Sequence, residues 1–337
     1  MVRRLLVLGC VMALMVPVAH AEDTHHKAGA KHKHHAKTAA HAKASKHAAA
    51  SHKIISTLRA NPEYQMQAVN YTHSRSVFKN DVPGNLRLES TKALIINQNT
   101  GEVLYAKSTD QATPIASVTK LMTAMVVLDA HQSPDEMLTV NEADVDNLKG
   151  TSSRLRLGTV LPRRELLQLA LMSSENRAAA ALGNGYPGGF VPFVQAMNAK
   201  AAQLGMTRSR FVDGTGLNSE NVSTAEDLAK MVKAAYQYPE IRQVTTTSSY
   251  EVPVHGVRGP VEFRNTNILV RNSDWQIGLS KTGYISEAGR CLVMQAQIAD
   301  QPLIIVLLDS WGKYTRIGDA QRIRKWIESS NGLRNLG

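Results

Sequence analysis

The sequence predicts a fold of the α/β class, more specifically α+β: an antiparallel sheet flanked by helices, with a separate helical lobe. Three observations support this prediction. Strand-like runs occur near the start of the folded part and again after residue 250. Segments with helical spacing fill the region between them. The chain has 337 residues, of which 43% are hydrophobic, so it can bury a sizeable core.

The first element is a predicted β-hairpin. Two apolar runs, 92–98 and 102–107, flank the turn Asn99-Thr100-Gly101. The end of the chain supplies further strands at 276–282, 291–298 and 302–308, followed by a helix at 317–327. Strands from both ends are therefore expected to share one antiparallel sheet.

The helical lobe is predicted at about 113–245. Its first helix follows Ser117 and is apolar on nearly all sides, so we expect it to be buried between layers. Further helices are predicted at 164–173, 176–182, 190–204 and 225–236. Met122 and Met125 are expected in the core, and so is Cys291 as a reduced thiol in a strand.

The N-terminus is typical of a secretory signal peptide, residues 1–21. Arg3 and Arg4 precede an apolar stretch, and Ala19-His20-Ala21 is a cleavage site of the small-x-small type. An uncleaved anchor is the alternative, although the apolar stretch is short for a membrane span. We expect export and no stable membrane anchor after cleavage.

The net charge of +11 is concentrated in residues 22–53, a His/Lys/Ala-rich segment. Its part from residue 24 on contains seven lysines, eight histidines and no acid, whereas residues 54–337 carry 30 bases and 26 acids. Because the folded part is nearly balanced and only 5% of residues are aromatic, nucleic-acid binding is disfavoured. The segment is expected to be a disordered linker, with metal binding or contact with anionic surfaces as alternatives. Residues 54–86 form a lead-in of unclear structure.

Ser117-Val118-Thr119-Lys120 opens the buried helix. Positions i and i+3 share a helix face, so the Ser117 hydroxyl and the Lys120 amine can meet. A serine nucleophile needs an adjacent base, and a buried lysine of lowered pKa can serve. Ser76 and Ser310 also begin a Ser-x-x-Lys pattern, but neither opens a long buried helix.

Two shorter motifs are weak when each is taken alone. Ser174-Glu175-Asn176 lies on a predicted turn between two helices, where its hydroxyl can relay a proton and its amide can hold a carbonyl or the lysine. The pattern recurs at 219–221 and 329–331, and a helix cap is the plain alternative. Lys281-Thr282-Gly283 occurs late in a predicted strand, where it can face a carboxylate or simply end the strand.

The order Ser-x-x-Lys, Ser-x-Asn, Lys-Thr-Gly is that of the active-site serine enzymes that recognise penicillin. The chain resembles the low-mass penicillin-binding proteins, serine D,D-peptidases with a fold shared with serine β-lactamases, over a catalytic domain at about 87–330. The longer matching strings are Pro114–Ala124, Leu171–Ala179, Arg264–Asn267 and Lys281–Gly283. The resemblance implies a periplasmic enzyme that cuts D-alanyl bonds of peptidoglycan through an acyl-serine, without a metal or other cofactor, and is inhibited covalently by β-lactams.

The resemblance also implies roles for residues of the first two motifs. Ser117 would be the nucleophile and Lys120 its general base. Ser174 would pass the proton to the departing amine, and Asn176 would orient Lys120 and the substrate.

The third motif, Lys281-Thr282-Gly283, would act through the positive charge of its lysine. Lys281 would add a positive field that helps to keep Lys120 neutral and, with Thr282, would hold a substrate carboxylate. Gly283 lets the substrate backbone approach. Backbone N–H groups of Ser117 and Tyr284 would form the oxyanion hole. Tyr284 stands where related carboxypeptidases often have histidine.

An endopeptidase that cleaves cross-linked peptides is preferred because only 54 residues follow Gly283. Related carboxypeptidases add a β-rich domain and an amphipathic helix there. A carboxypeptidase shares the same chemistry and stays an alternative. A β-lactamase would need a carboxylate to activate the deacylating water, but Glu175 and Glu220 are expected to be solvated surface charges. A non-catalytic wall-binding module is the remaining alternative. Trp275 and Trp311 are expected to pack, with a wall-polymer groove as the other possibility.

Overall fold

A five-stranded antiparallel sheet joins the two ends of the part of the chain that the structure, a computed structural model, describes: residues 86–334, with side chains through residue 330. In chain order the elements are β1 (Lys92–Asn97), β2 (Val103–Lys107), β3 (Thr113–Pro114), α1 (Lys120–Asp129), β4 (Met137–Thr139), β5 (Val160–Pro162), α2 (Arg163–Met172), α3 (Asn176–Asn184), α4 (Phe190–Gln203), β6 (Val222–Ser223), α5 (Ala225–Ala235), α6 (Pro239–Thr246), β7 (Ser249–Pro253), β8 (Pro260–Arg264), β9 (Gln276–Ile285), β10 (Gly289–Ile298), β11 (Gln301–Ser310) and α7 (Thr315–Arg334). The strand order in the five-stranded sheet is β2-β1-β11-β10-β9.

The predicted sheet and helices are confirmed. The first hairpin pairs β1 with β2, and β1 also pairs with β11, so strands from both ends share the sheet. Each predicted helix is present to within about three residues at either end, except that α7, predicted to end at 327, continues to Arg334. The sequence did not predict α6 or the two-stranded pairs β3–β6, β4–β5 and β7–β8. The predicted signal peptide, His/Lys/Ala-rich segment and lead-in lie outside the described residues, except for Leu86.

The sheet is buried on both faces, which explains the unbroken apolar run of β11. Leu303, Ile305 and Leu307 pack towards α7, where Ile323 is fully buried. The alternate residues of β11 pack towards the helical lobe. Each such side chain contributes roughly 1.5–3 kcal/mol when it is removed from water. Because successive side chains of β11 point to opposite faces of the sheet, this one layer of strands packs against the helical lobe on one face and against α7 on the other.

Helix α1 is buried from Lys120 through Val127, as its apolar sequence predicted. Met122 and Met125 are in the core, and both predictions are confirmed. Cys291 is a free, buried thiol, and burial raises its pKa to about 11. Among residues 86–334, no helix has the length and apolar content that crossing a membrane requires.

Candidate active site

Ser117 lies in a single 3₁₀ turn, Ala116–Thr119, that runs directly into α1. The sequence predicted Ser117 as the start of the helix, but the α-helix begins at Lys120. Ala116 has a φ of 48°, a left-handed conformation that is strained for a residue with a side chain. The turn places the Ser117 Oγ 2.8 Å from the Lys120 Nζ.

The Lys120 amine is fully buried and lies among three oxygens. Besides Ser117 Oγ, it donates to Asn176 Oδ1 at 2.8 Å and to the Thr215 carbonyl at 2.6 Å. These last two oxygens can only accept. When Lys120 is neutral, its two N–H groups can satisfy both, and its lone pair then points to the Ser117 hydroxyl.

Burial lowers the pKa of Lys120 to about 7, while the negative charges of Asp213 and Glu175 oppose that shift. A substantial fraction of the amine is therefore neutral near pH 7. The sequence predicted that burial and the neighbouring charge of Lys281 would keep Lys120 neutral, and burial is the main cause. The pKa of Lys281 is itself well below its usual range, because of burial first and then the charges of Lys120 and Arg316.

The Thr215 carbonyl is held in place by Asp213. One carboxylate oxygen of Asp213 accepts from Thr215 N at 2.6 Å, Thr215 Oγ1 at 2.7 Å and Gly216 N at 2.7 Å. Its other oxygen accepts from Asn218 N at 3.0 Å. Gly216 has a φ of 80°, and a Cβ there would lie 1.9 Å from the Ala116 carbonyl oxygen. This turn therefore packs directly on the backbone that carries Ser117.

The second and third motifs meet across the site. Ser174, with a φ of 63°, lies on the turn between α2 and α3, as predicted. Its Oγ accepts from Lys281 Nζ at 2.9 Å, and Lys281 also donates to the Thr282 carbonyl at 2.8 Å. Asn176 begins α3 and reaches Lys120. The fold thus brings Ser117, Lys120, Asn176, Ser174 and Lys281 together.

Lys281-Thr282-Gly283 lies inside β9, an edge strand, and does not end it. The Thr282 hydroxyl is 2.7 Å from that of Thr266, which the sequence analysis included only as part of a matching string. Thr266 N donates to the Met172 carbonyl at 3.0 Å, so it ties β9 to the end of α2. This part of β9 is thereby fixed to the helical lobe.

Gly283 packs tightly against the Ser117 turn, whereas the side chain of the next residue, Tyr284, is exposed. A Cβ at Gly283 would lie 2.9 Å from the Ile115 carbonyl oxygen and 3.0 Å from Ser117 N, so only glycine fits there without a shift. The Tyr284 side chain is 57% exposed, and the Arg290 guanidinium lies 4.4 Å from its ring centre. The backbone of Tyr284 thus follows immediately after the closest approach of β9 to the serine.

A loop organised by Asp146 forms a further wall of the site. Its carboxylate accepts four hydrogen bonds from Leu148, Lys149 and Thr151. Thr151 Oγ1 in turn accepts from Asn176 Nδ2 at 3.1 Å. Lys149 forms an ion pair with Glu287 in the turn after β9, so the loop links the helical lobe to the sheet. The role of this loop was not predicted from the sequence.

The other copies of the motifs have structural roles. Ser310 is buried and hydrogen-bonded to Ser90 at 2.8 Å, and Ser76 lies outside the described residues. Asn221 is fully buried and donates to the Asp213 carbonyl at 3.1 Å. In the third copy, 329–331, Ser329 and Ser330 bond to a carbonyl of their own helix.

The two acids considered for a β-lactamase differ from each other. Glu220 is exposed and paired with Arg210, as expected. Glu175 was expected to be a solvated charge, which is wrong: only 9% of it is exposed, and its carboxylate accepts from Ser153 Oγ at 2.6 Å. Within the described residues, no three His, Cys, Asp or Glu side chains are grouped as metal ligands.

Comparison with known protein families matches residues 77–312 to the family described as D-alanyl-D-alanine carboxypeptidase, peptidase S11. A D-alanyl-D-alanine endopeptidase of Pseudomonas aeruginosa is 49% identical over 251 residues, which is 74% of this chain and 81% of the relative. One from Escherichia coli K12 is 49% identical over 242 residues, 72% of this chain and 78% of the relative.

Solved structures show the same likeness. The Streptomyces K15 DD-transpeptidase superimposes with a TM-score of 0.67 at 29% identity, covering 72% of this chain and 98% of that one. Penicillin-binding protein D2 of Listeria monocytogenes, in an ampicillin-bound form, gives a TM-score of 0.63 at 28% identity over 72% and 99% of the two chains. The predicted fold class is confirmed by these neighbours and by the observed sheet.

Proposed function

This chain belongs to the D-alanyl-D-alanine carboxypeptidase family of serine peptidases, and from that premise we propose that it is a D,D-endopeptidase that cleaves D-alanyl cross-links of peptidoglycan through an acyl-serine. One observation carries the chemistry: the buried Lys120 amine contacts Ser117 Oγ and two oxygens that can only accept. That arrangement supports a neutral lysine acting as the base for a serine nucleophile.

In the acylation step, Lys120 takes the hydroxyl proton of Ser117 as Oγ attacks the D-alanyl carbonyl carbon. The developing oxyanion is stabilised by the backbone N–H groups of Ser117 and Tyr284. The close approach of Gly283 to the Ser117 turn supports this pairing. When the intermediate collapses, the carbon–nitrogen bond breaks and the acyl group stays on Ser117.

The departing amine needs the proton that Lys120 received. Ser174 passes it on, and the hydrogen bond from Lys281 to Ser174 Oγ supports that relay. Thr282, held by Thr266, binds the carboxylate on the departing side together with Lys281. Water then hydrolyses the acyl-serine, so the products are a free amine and a free carboxylate.

Endopeptidase activity is favoured over carboxypeptidase activity by the relatives. The two that are 49% identical are named endopeptidases, whereas a Bacillus subtilis relative named a carboxypeptidase is 31% identical. We further propose that residues 1–21 direct export to the periplasm, where peptidoglycan and inhibiting β-lactams are met. A contact of the His/Lys/Ala-rich segment 22–53 with anionic surfaces is part of the same proposal.

The first test is the intact mass of the protein after brief incubation with benzylpenicillin. A single lasting adduct is expected on the parent chain and none on Ser117→Ala, because the acyl bond forms at that hydroxyl. Ser310→Ala is the matched control, since Ser310 begins another Ser-x-x-Lys pattern but is bonded to Ser90. It should keep the adduct.

Other outcomes would contradict the proposal in distinct ways. An adduct that survives in Ser117→Ala would mean that a different serine is the nucleophile. Penicillin consumed without an adduct would indicate a β-lactamase, and penicillin left intact would indicate a non-catalytic wall-binding module. Release of D-alanine from a pentapeptide, without cleavage of a cross-linked dimer, would indicate a carboxypeptidase.

A further inference from the structure

Exposed aromatic side chains are concentrated where β9 ends, β10 begins and β11 ends. Trp311 is 74% exposed, Tyr314 60% and Tyr284 57%. We call these three residues, with Arg290 and Lys313, the aromatic–basic patch. Trp275 is buried, as predicted, but the expectation that Trp311 packs is wrong. Large exposed aromatic groups beside one another usually mark a binding surface.

The two cations of the patch lie against aromatic rings. The Arg290 guanidinium lies over the Tyr284 ring, and Lys313 Nζ is 5.3 Å from the ring centre of Tyr314. Within the described residues, neither cation forms an ion pair. The nearby acids are engaged elsewhere: Asp309 pairs with Lys92 at 3.6 Å, and Glu287 pairs with Lys149. The patch therefore carries uncompensated positive charge.

Arg316 lies close enough to Arg290 to add to this field. Its Nε and Nη1 atoms are buried and have no hydrogen-bond partner among the described residues. Burial lowers the pKa of Arg316, and the charge of Arg290 lowers it further. Such a group of cations is stabilised by an anion that binds in front of it.

A cavity of about 150 Å³ opens within the patch. Its walls include Tyr284, Ser286, Arg290, Ser310, Trp311 and Lys313. The lining thus combines aromatic faces with hydroxyl and cationic groups. That mixture suits a ligand with flat apolar faces, hydroxyl or amide groups and acidic substituents.

The orientation of the substrate peptide in the active site connects this patch with Ser117, and this step rests on the proposed function. The departing amine and its carboxylate lie towards Ser174 and Thr282, so the acyl side leaves past Tyr284 towards the end of β9. An extended stem of four residues spans about 14 Å. Tyr284 both borders the site and belongs to the patch, so the sugar chain that carries the stem arrives beside the patch.

We propose that the aromatic–basic patch binds the glycan strand of peptidoglycan that carries the acyl-side stem peptide. The rings of Trp311 and Tyr314 stack against sugar faces, and Arg290 and Lys313 pair with carboxylates of the polymer. The patch holds the polymer while the stem reaches Ser117. The carboxylates that Arg290 and Lys313 meet belong to neighbouring stem peptides on the same strand. A soluble cross-linked peptide without sugars has neither the sugar faces nor those neighbouring stems, so it makes none of these contacts.

The binding test uses the full chain in a Ser117→Ala background, so that purified peptidoglycan sacculi stay intact. Salt at about 0.3 M screens the electrostatic attraction of the His/Lys/Ala-rich segment, residues 22–53, to the sacculi. The added pair Trp311→Ala and Lys313→Ala should weaken co-sedimentation with sacculi about fivefold, as expected for the loss of a central aromatic contact. The control pair Val191→Ala and Lys325→Ala, also exposed but outside the patch, should sediment like the background chain. Equal sedimentation of both pairs would overturn the proposal.

A rate measurement separates this inference from the proposed function. With Ser117 present, the patch variant should cleave sacculi about fivefold more slowly and a sugar-free cross-linked dimer at the parent rate. The second rate also shows that the variant is folded. Equal losses on both substrates would overturn a glycan-binding role. A parent chain that cleaves neither substrate and forms no penicillin adduct would instead refute the proposed function, whatever the sedimentation result.

Discussion

The Lys120 amine is directed at Ser117 by the oxygens that occupy its other contacts. Burial sets its pKa at about 7, and only the neutral form can accept the serine proton. Acylation should therefore be lost as the pH falls: its rate constant is expected to drop about tenfold per pH unit below 7 and to level off above 8. Stopped-flow acylation by benzylpenicillin from pH 5.5 to 9 measures this profile, and a flat profile would exclude Lys120 as the titrating base.

Asp213 acts on Lys120 through the Thr215 carbonyl and through its charge. In Asp213→Asn, the turn loses an acceptor, so the plateau rate of acylation should fall about tenfold. The lost negative charge also lowers the Lys120 pKa, so the midpoint of the pH profile should move to lower pH.

The same stopped-flow profile tests both effects of Asp213→Asn. Asp110→Asn is the matched control, because Asp110 is an exposed carboxylate that faces Arg208. It should leave the plateau and the midpoint as in the parent chain. A lower plateau with an unmoved midpoint would show that Asp213 has only a structural role.

The sequence identified the side chains that meet at Lys120, because each lies in a short motif. It did not identify the Thr215 carbonyl or its support by Asp213. A backbone oxygen has no residue type of its own, and this contact joins residues that are far apart in sequence. Burial was predicted to lower the Lys120 pKa, but how far it does so could not be predicted, since the depth of burial depends on the whole fold.

Strand β9 depends on Gly283 to approach the Ser117 turn. In Gly283→Ala, the new methyl group would lie 2.9 Å from a carbonyl oxygen and 3.0 Å from Ser117 N, so the strand must move away. Acylation by benzylpenicillin should fall at least about 100-fold, as for the loss of an oxyanion donor. Gly318→Ala is the control, because a methyl group there meets only the flexible Arg322 side chain. Parent-like acylation of Gly283→Ala would disprove the tight contact.

Elements with a long periodic pattern were predictable, and short ones were not. The apolar runs of β9, β10 and β11 and the helix α1 are marked by their own residues. Strands β4 and β5 have three residues each, which is too few for a period to emerge. Helix α6 has eight residues and begins at a proline, so its pattern is equally brief.

On the scale of the whole molecule, the helical lobe and α7 lie on opposite faces of one sheet. Ser117, Lys120 and Ser174 belong to the lobe, and Lys281 belongs to β9, so the site exists only when the lobe and the sheet are joined. The sequence indicated this arrangement through its order of strands, helices and strands. The tie between the start of the described chain and α7 could not be predicted, because it depends on a single buried carboxylate.

That carboxylate is Asp319, which is fully buried in α7. It accepts from Ser90 N at 2.7 Å, Ser90 Oγ at 2.5 Å and Glu89 N at 3.0 Å. Asp319→Ala leaves the buried Ser90 N–H without its acceptor and removes two further hydrogen bonds, so the free energy of unfolding should fall by about 3 kcal/mol. For a domain of this size, the Tm should drop by roughly 6–12 °C.

Calorimetry of the parent chain and of Asp319→Ala measures this loss. Arg322→Ala is the matched control, because it removes only the exposed partner of the same carboxylate and should cost less than about 1 kcal/mol. Below its transition, Asp319→Ala should still acylate at Ser117, since no active-site group contacts Asp319. If both variants melted at the same temperature, the carboxylate would not be what holds the start of the described chain to α7.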